Sequence, residues 1–305
     1  ADPDRTPPAI FVTLDDTEPF LPAVNSYLAE SEDFFELGLK ALERLTDKVY
    51  VTAANTDNGN RPITNTINLK YHGNYPASDA GVLLYHIKKS PEENNSWYIN
   101  GQDVLMIGQL LSTGKYPIDR VVAVAGSEAS ERLHLRTRMG VSIANLAAPL
   151  SDFKDIRLVA GGVFKGRTVA PEGYLGHYET ALTLLPAGNE KEFLALFNPG
   201  WKKGTYSRAF LSSLNRSNLS ANCNRHGDER ACVACMHCAD VCPVDILPQL
   251  TYKAILAEEV EEALEHGLLD CVECGLCTYV CPSKIELTTS LKSAKALYRK
   301  ERESQ

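Results

Sequence analysis

Cys232-Val-Ala-Cys235-Met-His-Cys238-Ala-Asp-Val-Cys242-Pro243 and Cys271-Val-Glu-Cys274-Gly-Leu-Cys277-Thr-Tyr-Val-Cys281-Pro282 carry one spacing twice, C-x2-C-x2-C-x3-C-P. They hold eight of the nine cysteines; the ninth is Cys223, and none precedes it. A cubane needs four thiolates around one compact body. An x2 loop can bring three, and the fourth must arrive from elsewhere. This is the spacing of [4Fe–4S] ligation, and where two such runs occur together the fourth cysteine of each serves the other cluster. Cys232, Cys235, Cys238 and Cys281 are therefore assigned to one cluster, and Cys271, Cys274, Cys277 and Cys242 to the other. Two [4Fe–4S] clusters locked near each other suit the passing of electrons.

Other uses of cysteine fit less well. Zinc accepts C-x2-C pairs, but has no use for three cysteines in series, a crossed fourth and a following proline, twice. A disulfide framework would make strained partners of cysteines only three positions apart. Cys223 has no counterpart in the second run and reads as a free thiol or a cluster-adjacent redox residue. His237, inside the first run, reads as a packing or surface residue, because a full thiolate set is already present.

The remaining composition is ordinary. The 305 residues are 44% hydrophobic and 23% charged, enough for two or three domains. A net charge of −8 argues against a nucleic-acid partner. No apolar run approaches the roughly 18–20 residues that span a bilayer. The start, Ala1-Asp2-Pro3-Asp4, is acidic and has no apolar leader segment, and the missing Met reads as a processed or excised start. Reduced thiols and oxygen-sensitive clusters point to the cytosol.

Residues 7 to about 118 read as α/β. Ala9–Leu14 is an apolar, β-branched strand, and Ser31 is a candidate cap for a helix carrying Phe35, Leu39, Leu42 and Leu45 as far as Thr46. Val49–Thr52 returns as a strand, giving a crossover unit of a mainly parallel sheet. Asn55–Pro62 reads as a loop, Ile67–Tyr71 and Val82–His86 as strands, and Asp103–Leu111 as a helix. Asp15 and Asp16 end the first strand, where α/β sheets bind ligands; turn and capping chemistry explains them as well. There is no G-x-G-x-x-G, P-loop or G-x-S-x-G.

Residues 119 to about 186 read as a small β-rich domain, with strands at Val121–Ala125, Leu133–Thr137, Ile156–Ala160 and Ala181–Leu185. The basic residues of Arg132–Arg138 share one strand face, either solvated or facing an acidic partner or anionic cofactor. Gly161–Arg167 reads as a plain loop, or as a backbone anion cradle. From Glu190 the chain reads as helical. Between the runs, Tyr252, Leu256, Val260, Ala263 and Leu264 line one face up to a stop at Gly267, and after them Leu287, Leu291, Ala294 and Tyr298 line another. A helical linker of 28 residues between Cys242 and Cys271 suits an all-helical ferredoxin better than the compact βαβ type. Glu258, Glu259, Glu261 and Glu262 read as a solvated face that adds negative charge near the clusters.

Cys232–Lys284 closely resembles the ferredoxin segment of the RnfC subunit of the Rnf complex. The upstream region resembles NqrA of the Na+-translocating NADH:quinone reductase, through Ala9-Ile-Phe-Val-Thr-Leu-Asp-Asp-Thr17, Ala41–Thr46, Gly101–Val104, Asp119–Gly126 and Arg136–Gly140. The resemblance implies an α/β domain at 1–118 like the FMN-binding subunit of complex I and an SLBB-like β-grasp at 119–190. After these it implies, at 191–305, a helical connector with an α-helical ferredoxin domain holding two [4Fe–4S] clusters. NqrA usually lacks the two cysteine runs, so the chain mixes features of both proteins. In RnfC the Gly-rich FMN and NADH elements lie upstream of the region matched. FMN, NADH and quinone roles therefore transfer to no named residue, and only the eight cysteines carry over.

The function implied is an iron–sulfur electron-transfer subunit of a membrane-associated NqrA/RnfC-like redox complex, part of an NADH:quinone or NADH:ferredoxin oxidoreductase. It would relay electrons from an NADH/flavin-side donor to a quinone or ferredoxin-side acceptor. The alternative is a quinone- or flavin-binding oxidoreductase subunit with a pocket in its α/β domain. The partners implied are other subunits of that complex. The location implied is cytoplasmic, peripheral to the inner membrane, with no membrane span of its own.

Overall fold

A computed structural model of the chain describes residues 5–14, 18–55, 63–149, 151–189, 198–208, 210–220, 222–224 and 227–303. They divide into two compact units, one of residues 1–154 with 158–184 and one of 155–157 with 185–305.

The first unit opens with a parallel sheet. β1 (Ile10–Thr13), β2 (Val49–Ala54), β3 (Leu69–Tyr71) and β4 (Trp97–Asn100) lie in the order β3-β2-β1-β4. β1 pairs in parallel with both β2 and β4, and all four of its residues are buried, as a parallel strand covered on two faces requires. Its side chains alternate between two cores. Ile10 and Val12 pack with Phe35 and Leu39 of α2 (Glu32–Leu42) and Val104 of α4 (Gly101–Thr113), while Phe11 packs with Leu83 of α3 (Ala80–Ile87). A short α1 (Val24–Leu28) precedes α2. Helices α2 and α4 approach closely: a methyl group on Gly108 would collide with the Phe34 carbonyl, and one on Gly38 with that of Val104.

Several expectations need correction. Val82–His86 is helical, within α3. An apolar run this short has no decisive period, and the Asp79 side chain accepts from the Gly81 N–H at 2.8 Å and starts the helix. Helix α2 ends at Leu42, not Thr46; bonds from Arg44 to Ala41 and from Leu45 to Leu42 tighten its exit, and Leu45 is exposed. Ser31 holds the N-cap position, but its side chain makes no capping bond. β4 was not anticipated. Asp15, Asp16 and most of the Asn55–Pro62 loop lie outside the described residues.

The second sheet contains β5 (Asp119–Ala125), β6 (Leu133–Arg138), β7 (Ile156–Ala160), β8 (Arg167–Val169) and β9 (Ala181–Pro186), ordered β6-β5-β9-β7-β8, with α5 (Ile143–Ala147) between β6 and β7. β5 and β6 form an antiparallel pair, and β9 returns parallel to β5 at the centre, in the manner of a β-grasp. The four strands read from the sequence are present; β8 was missed.

In the second unit, the described residues between 198 and 236 contain a 3-10 turn at Leu211–Leu214 and no α-helix. This corrects the helical reading from Glu190 as far as it can be followed, since 190–197 lie outside the described residues. Pro199, Gly200, Gly204 and the Ser/Asn-rich stretch to Asn224 favour turns over helix. Beyond it come α6 (His237–Asp240), α7 (Pro248–Leu256), α8 (Val260–Glu265), α9 (Leu276–Val280) and α10 (Leu287–Glu303). The helix expected from Tyr252 to Leu264 is broken in two by Glu258, whose φ is 60°, and Leu256 and Val260 are exposed. Gly267 does stop the helix, at φ 92°, with Ile246 packed against its missing side chain.

Candidate functional site

The cysteine runs fold as a repeat of 39 residues. Cys232 and Cys271 correspond, as do Cys242 and Cys281, and α7 begins 39 positions before α10. The backbone repeats too. Ala234 and Glu273, Met236 and Gly275, Asp245 and Lys284 all take left-handed φ, between 50° and 83°. Such values are uncommon outside glycine. Here they fall between the cysteines and just after them, where they curl each loop into a concave rim.

Each rim closes a cavity. One is lined by Cys271, Cys274, Cys277 and, from the other run, Cys242. The second is lined by Cys232, Cys235, Cys238 and, from the other run, Cys281. The exchange is held by named bonds. Arg230 N–H donates to the Ser283 carbonyl at 2.8 Å, its guanidinium to the Pro282 carbonyl at 2.7 Å, and the Ser283 hydroxyl to the Ala231 carbonyl at 2.9 Å. These bonds draw Cys281 beside Cys232. On the other side the hydroxyl of the fully buried Thr251 is shared between the Leu247 and His266 carbonyls, at 3.1 and 3.2 Å, and Ile246 rests on Gly267; together they draw the segment after Cys242 toward Cys271.

Burial governs the thiols. It pushes Cys238, Cys271 and Cys274 up to about 11 and raises Cys242 and Cys277 as well; neighbouring thiols add to the rise at each of these except Cys242, where Asp245 adds to it. Crowded, buried sulfurs that resist ionisation alone suit a bound metal, which takes thiols as thiolates. Around them the walls are mostly apolar, with Val244, Ile246 and Leu291 at one cavity and Ile285 and Leu287 at the other. The residues present fit an iron–sulfur group. The two rims differ in exposure: Cys235 is exposed, with Val233 and Met236 beside it, whereas its counterpart Cys274 is buried.

The remaining candidates lie elsewhere. His237 lines neither cavity; its ring stacks edge-on against Tyr206 at 5.3 Å, and Nδ1 is 3.8 Å from Asp240. Cys223 also lines neither, and its backbone packs against Gly188. His134, Arg136 and Arg138 are exposed along the edge strand β6, and the four glutamates from Glu258 to Glu262 are exposed. The loop at Gly161–Arg167 does cradle an anion, an internal one: Phe164 and Lys165 N–H donate to Glu18 Oε2 at 2.6 and 3.2 Å, and Lys165 Nζ pairs with Asp79. At the end of β1, the Tyr27 hydroxyl donates to the Leu14 carbonyl at 3.3 Å. Sequence reasoning missed Ser283, Gln249 and Thr288, polar residues at the two cavities; the 39-residue repeat was the signal that could have found the last two.

Three family profiles match in order along the chain. "NqrA second alpha/beta domain" matches residues 1–116, "NQRA C-terminal domain", the SLBB region, residues 121–170, and "4Fe-4S dicluster domain" residues 226–282. Among curated relatives, the NqrA protein of the Na(+)-translocating NADH-quinone reductase of Shewanella frigidimarina is 34% identical over 95% of this chain and 66% of its own length. That of Serratia proteamaculans is 35% identical over 95% and 66%, and that of Psychromonas ingrahamii 33% identical over 98% and 68%. The chain thus spans about two thirds of the length of the curated relatives it matches. Among solved structures, a chain of an NAD+-reducing [NiFe]-hydrogenase in the H2-reduced state aligns over 94% of this chain and 57% of its own. Its TM-score is 0.48 at 11% identity, too distant to carry an argument. With an α/β domain, an SLBB domain and a 4Fe-4S dicluster region in succession, and NqrA sequences matched along nearly its whole length, the chain belongs to the NqrA family.

Proposed function

We propose that this chain is an iron–sulfur electron-transfer subunit that holds two [4Fe–4S] clusters, one on Cys232, Cys235, Cys238 and Cys281 and the other on Cys271, Cys274, Cys277 and Cys242. The observation that carries the reading is the pair of cavities, each ringed by three cysteines of one run and the fourth of the other. Among the described residues, no three His, Cys, Asp or Glu side chains come together as a single metal ion would need. Three thiolates from one run and a fourth exchanged with the other, repeated twice, is the ligand pattern of paired cubanes rather than of single zinc ions. Bound there, the clusters would supply one-electron carriers of low potential.

The chain's own residues supply the rest. Apolar walls exclude water, left-handed turns shape the rims, and Arg230 and Ser283 hold the crossed cysteine in place. The exposed rim at Val233, Cys235 and Met236 is the side on which electrons would enter or leave. The organisation we propose is an α/β domain at 1–118, an SLBB-like domain at 119–190 and the ferredoxin region within 191–305. Within a membrane redox complex the chain would relay electrons from an NADH/flavin-side donor to a quinone or ferredoxin-side acceptor. Among the described residues no helix is long and apolar enough to cross a membrane, so attachment to the cytoplasmic face of the inner membrane would come through partner subunits. Iron and sulfide analysis of anaerobically reconstituted protein tests the reading. About eight of each per chain, four per cubane, are expected; stoichiometric zinc without a reducible chromophore would refute it.

A further inference from the structure

Gln249 and Thr288 occupy one position of the repeat, 39 residues apart and each 11 residues after the third cysteine of its run. Each is the second residue of the helix that follows, α7 or α10. Each touches that third cysteine: Gln249 Oε1 lies 3.2 Å from Cys238 Sγ, and Thr288 Oγ1 lies 3.5 Å from Cys277 Sγ. Gln249 is only 4% exposed. A buried carboxamide is costly unless its bonds are made, so its place at the sulfur calls for a reason. We infer that Gln249 and Thr288 are hydrogen-bond donors to the third thiolate of each run, and that each sets the reduction potential of its own cluster. The inference rests on the two-cluster reading above.

The direction of each bond follows from the chemistry. A cysteine bound to iron is a thiolate and can only accept. At Thr288 the donor is already arranged. Its backbone N–H donates to Thr278 Oγ1 at 2.9 Å, and the Thr278 hydroxyl donates to Thr288 Oγ1 at 2.9 Å. The Thr288 hydroxyl proton is then free to point at Cys277 Sγ, and the chain of bonds polarises it toward the sulfur. At Gln249 the thiol now donates to Oε1, while Nε2 lies 3.0 Å from Met236 Sδ. Once the proton leaves Cys238, a half-turn of the carboxamide exchanges its oxygen and nitrogen. The NH2 group then faces the thiolate, at the expense of a weak bond to the Met236 thioether. A donor to a cluster sulfur stabilises the more negative, reduced state, so removing it lowers the potential.

The test is a mediated redox titration of the reconstituted protein, following the EPR signal of each site. Cys281→Ala and Cys271→Ala assign the two signals. Gln249→Met should lower only the potential of the Cys232, Cys235, Cys238 and Cys281 site, by up to about tenfold in its redox equilibrium, roughly 59 mV for one electron. Thr288→Val should lower only the other, and Thr288→Ser should restore it. Normal iron content with both potentials unmoved would overturn the inference. Unaltered protein carrying 15N in glutamine side chains gives a check independent of any variant, because Gln249 is the only glutamine between residues 110 and 304. Pulsed EPR should show 15N coupling to the reduced first site, and its absence would overturn the role of Gln249. Wild-type protein that binds no iron would instead overturn the two-cluster reading itself.

Discussion

Ser283 shows how one residue can decide which sulfur closes a cavity. It is 4% exposed, its hydroxyl donates to the Ala231 carbonyl, and its carbonyl accepts from Arg230 N–H. Together these fasten the end of the second run to the start of the first. Cys281→Ala should therefore damage the cluster held by Cys232, Cys235 and Cys238 and leave its own run's cluster intact; EPR of the reduced variant matching that of Cys271→Ala would contradict this. The thiols give a pH prediction for the metal-free protein. Burial raises Cys238, Cys271 and Cys274 to about 11, above the roughly 8.5 of a free thiol. A raised folded-state value means stability is fully present below the unfolded value and drains away as pH climbs through the folded one. The Tm of the metal-free protein should fall between about pH 8.5 and 11, whereas iron-loaded protein, its thiolates already deprotonated, should lack that fall. At this scale the grouping of the eight cysteines around two cavities, with one exchanged between the runs, followed from a fixed spacing repeated in the sequence. Ser283 could not be read that way, because a hydrogen bond to a distant backbone carbonyl imposes no local period; Gln249 and Thr288 shared a repeat position, but their types differ, and only the geometry shows that each touches a sulfur.

Elements were legible where a strong period met a clear stop. β1, β2, β5 and α4 followed from apolar patterning, and Gly267 from its place after a helical face. α3 was mistaken for a strand because eight residues with a high apolar content fit either period, and the deciding feature, the Asp79 cap, is a single polar side chain. β4 was missed because four residues, with Tyr98 exposed at the sheet edge, carry too little alternation to register. The break at Glu258 divides a sequence whose apolar spacing continues across it, so only backbone geometry reveals the two helices. Helix contacts supply a stability test. Gly108→Ala would drive a methyl group into the Phe34 carbonyl, and Gly267→Ala would press on Ile246 while holding alanine at φ 92°. Each should cost about 1–3 kcal/mol, by overpacking in the first case and by left-handed strain with overpacking in the second. Thermal melts read the cost. In the second unit, Gly267→Ala should also speed the loss of iron to a chelator; unchanged melting for both would show that these close approaches are not required.

At the scale of the molecule, NqrA sequences match along nearly the whole chain, and the dicluster region closes it. The order of domains was legible because each leaves a different signature: an apolar strand feeding a helix, short strands between glycines, then cysteines in fixed steps. No Gly-rich phosphate cradle is present in the sequence, and the loop nearest to one, Gly161–Arg167, spends its N–H groups on Glu18. The chain by itself should therefore accept electrons without taking them from NADH. The decisive measurement is an anaerobic titration of the reconstituted protein, first with NADH in the absence of any flavoprotein and then with dithionite, following the cluster absorbance. The account predicts no bleaching by NADH and full bleaching by about two electrons per chain, one for each [4Fe–4S] cluster. Rapid bleaching by NADH would place a nicotinamide site in the chain, and an uptake near zero or one electron would contradict the pair of clusters on which the proposed relay depends.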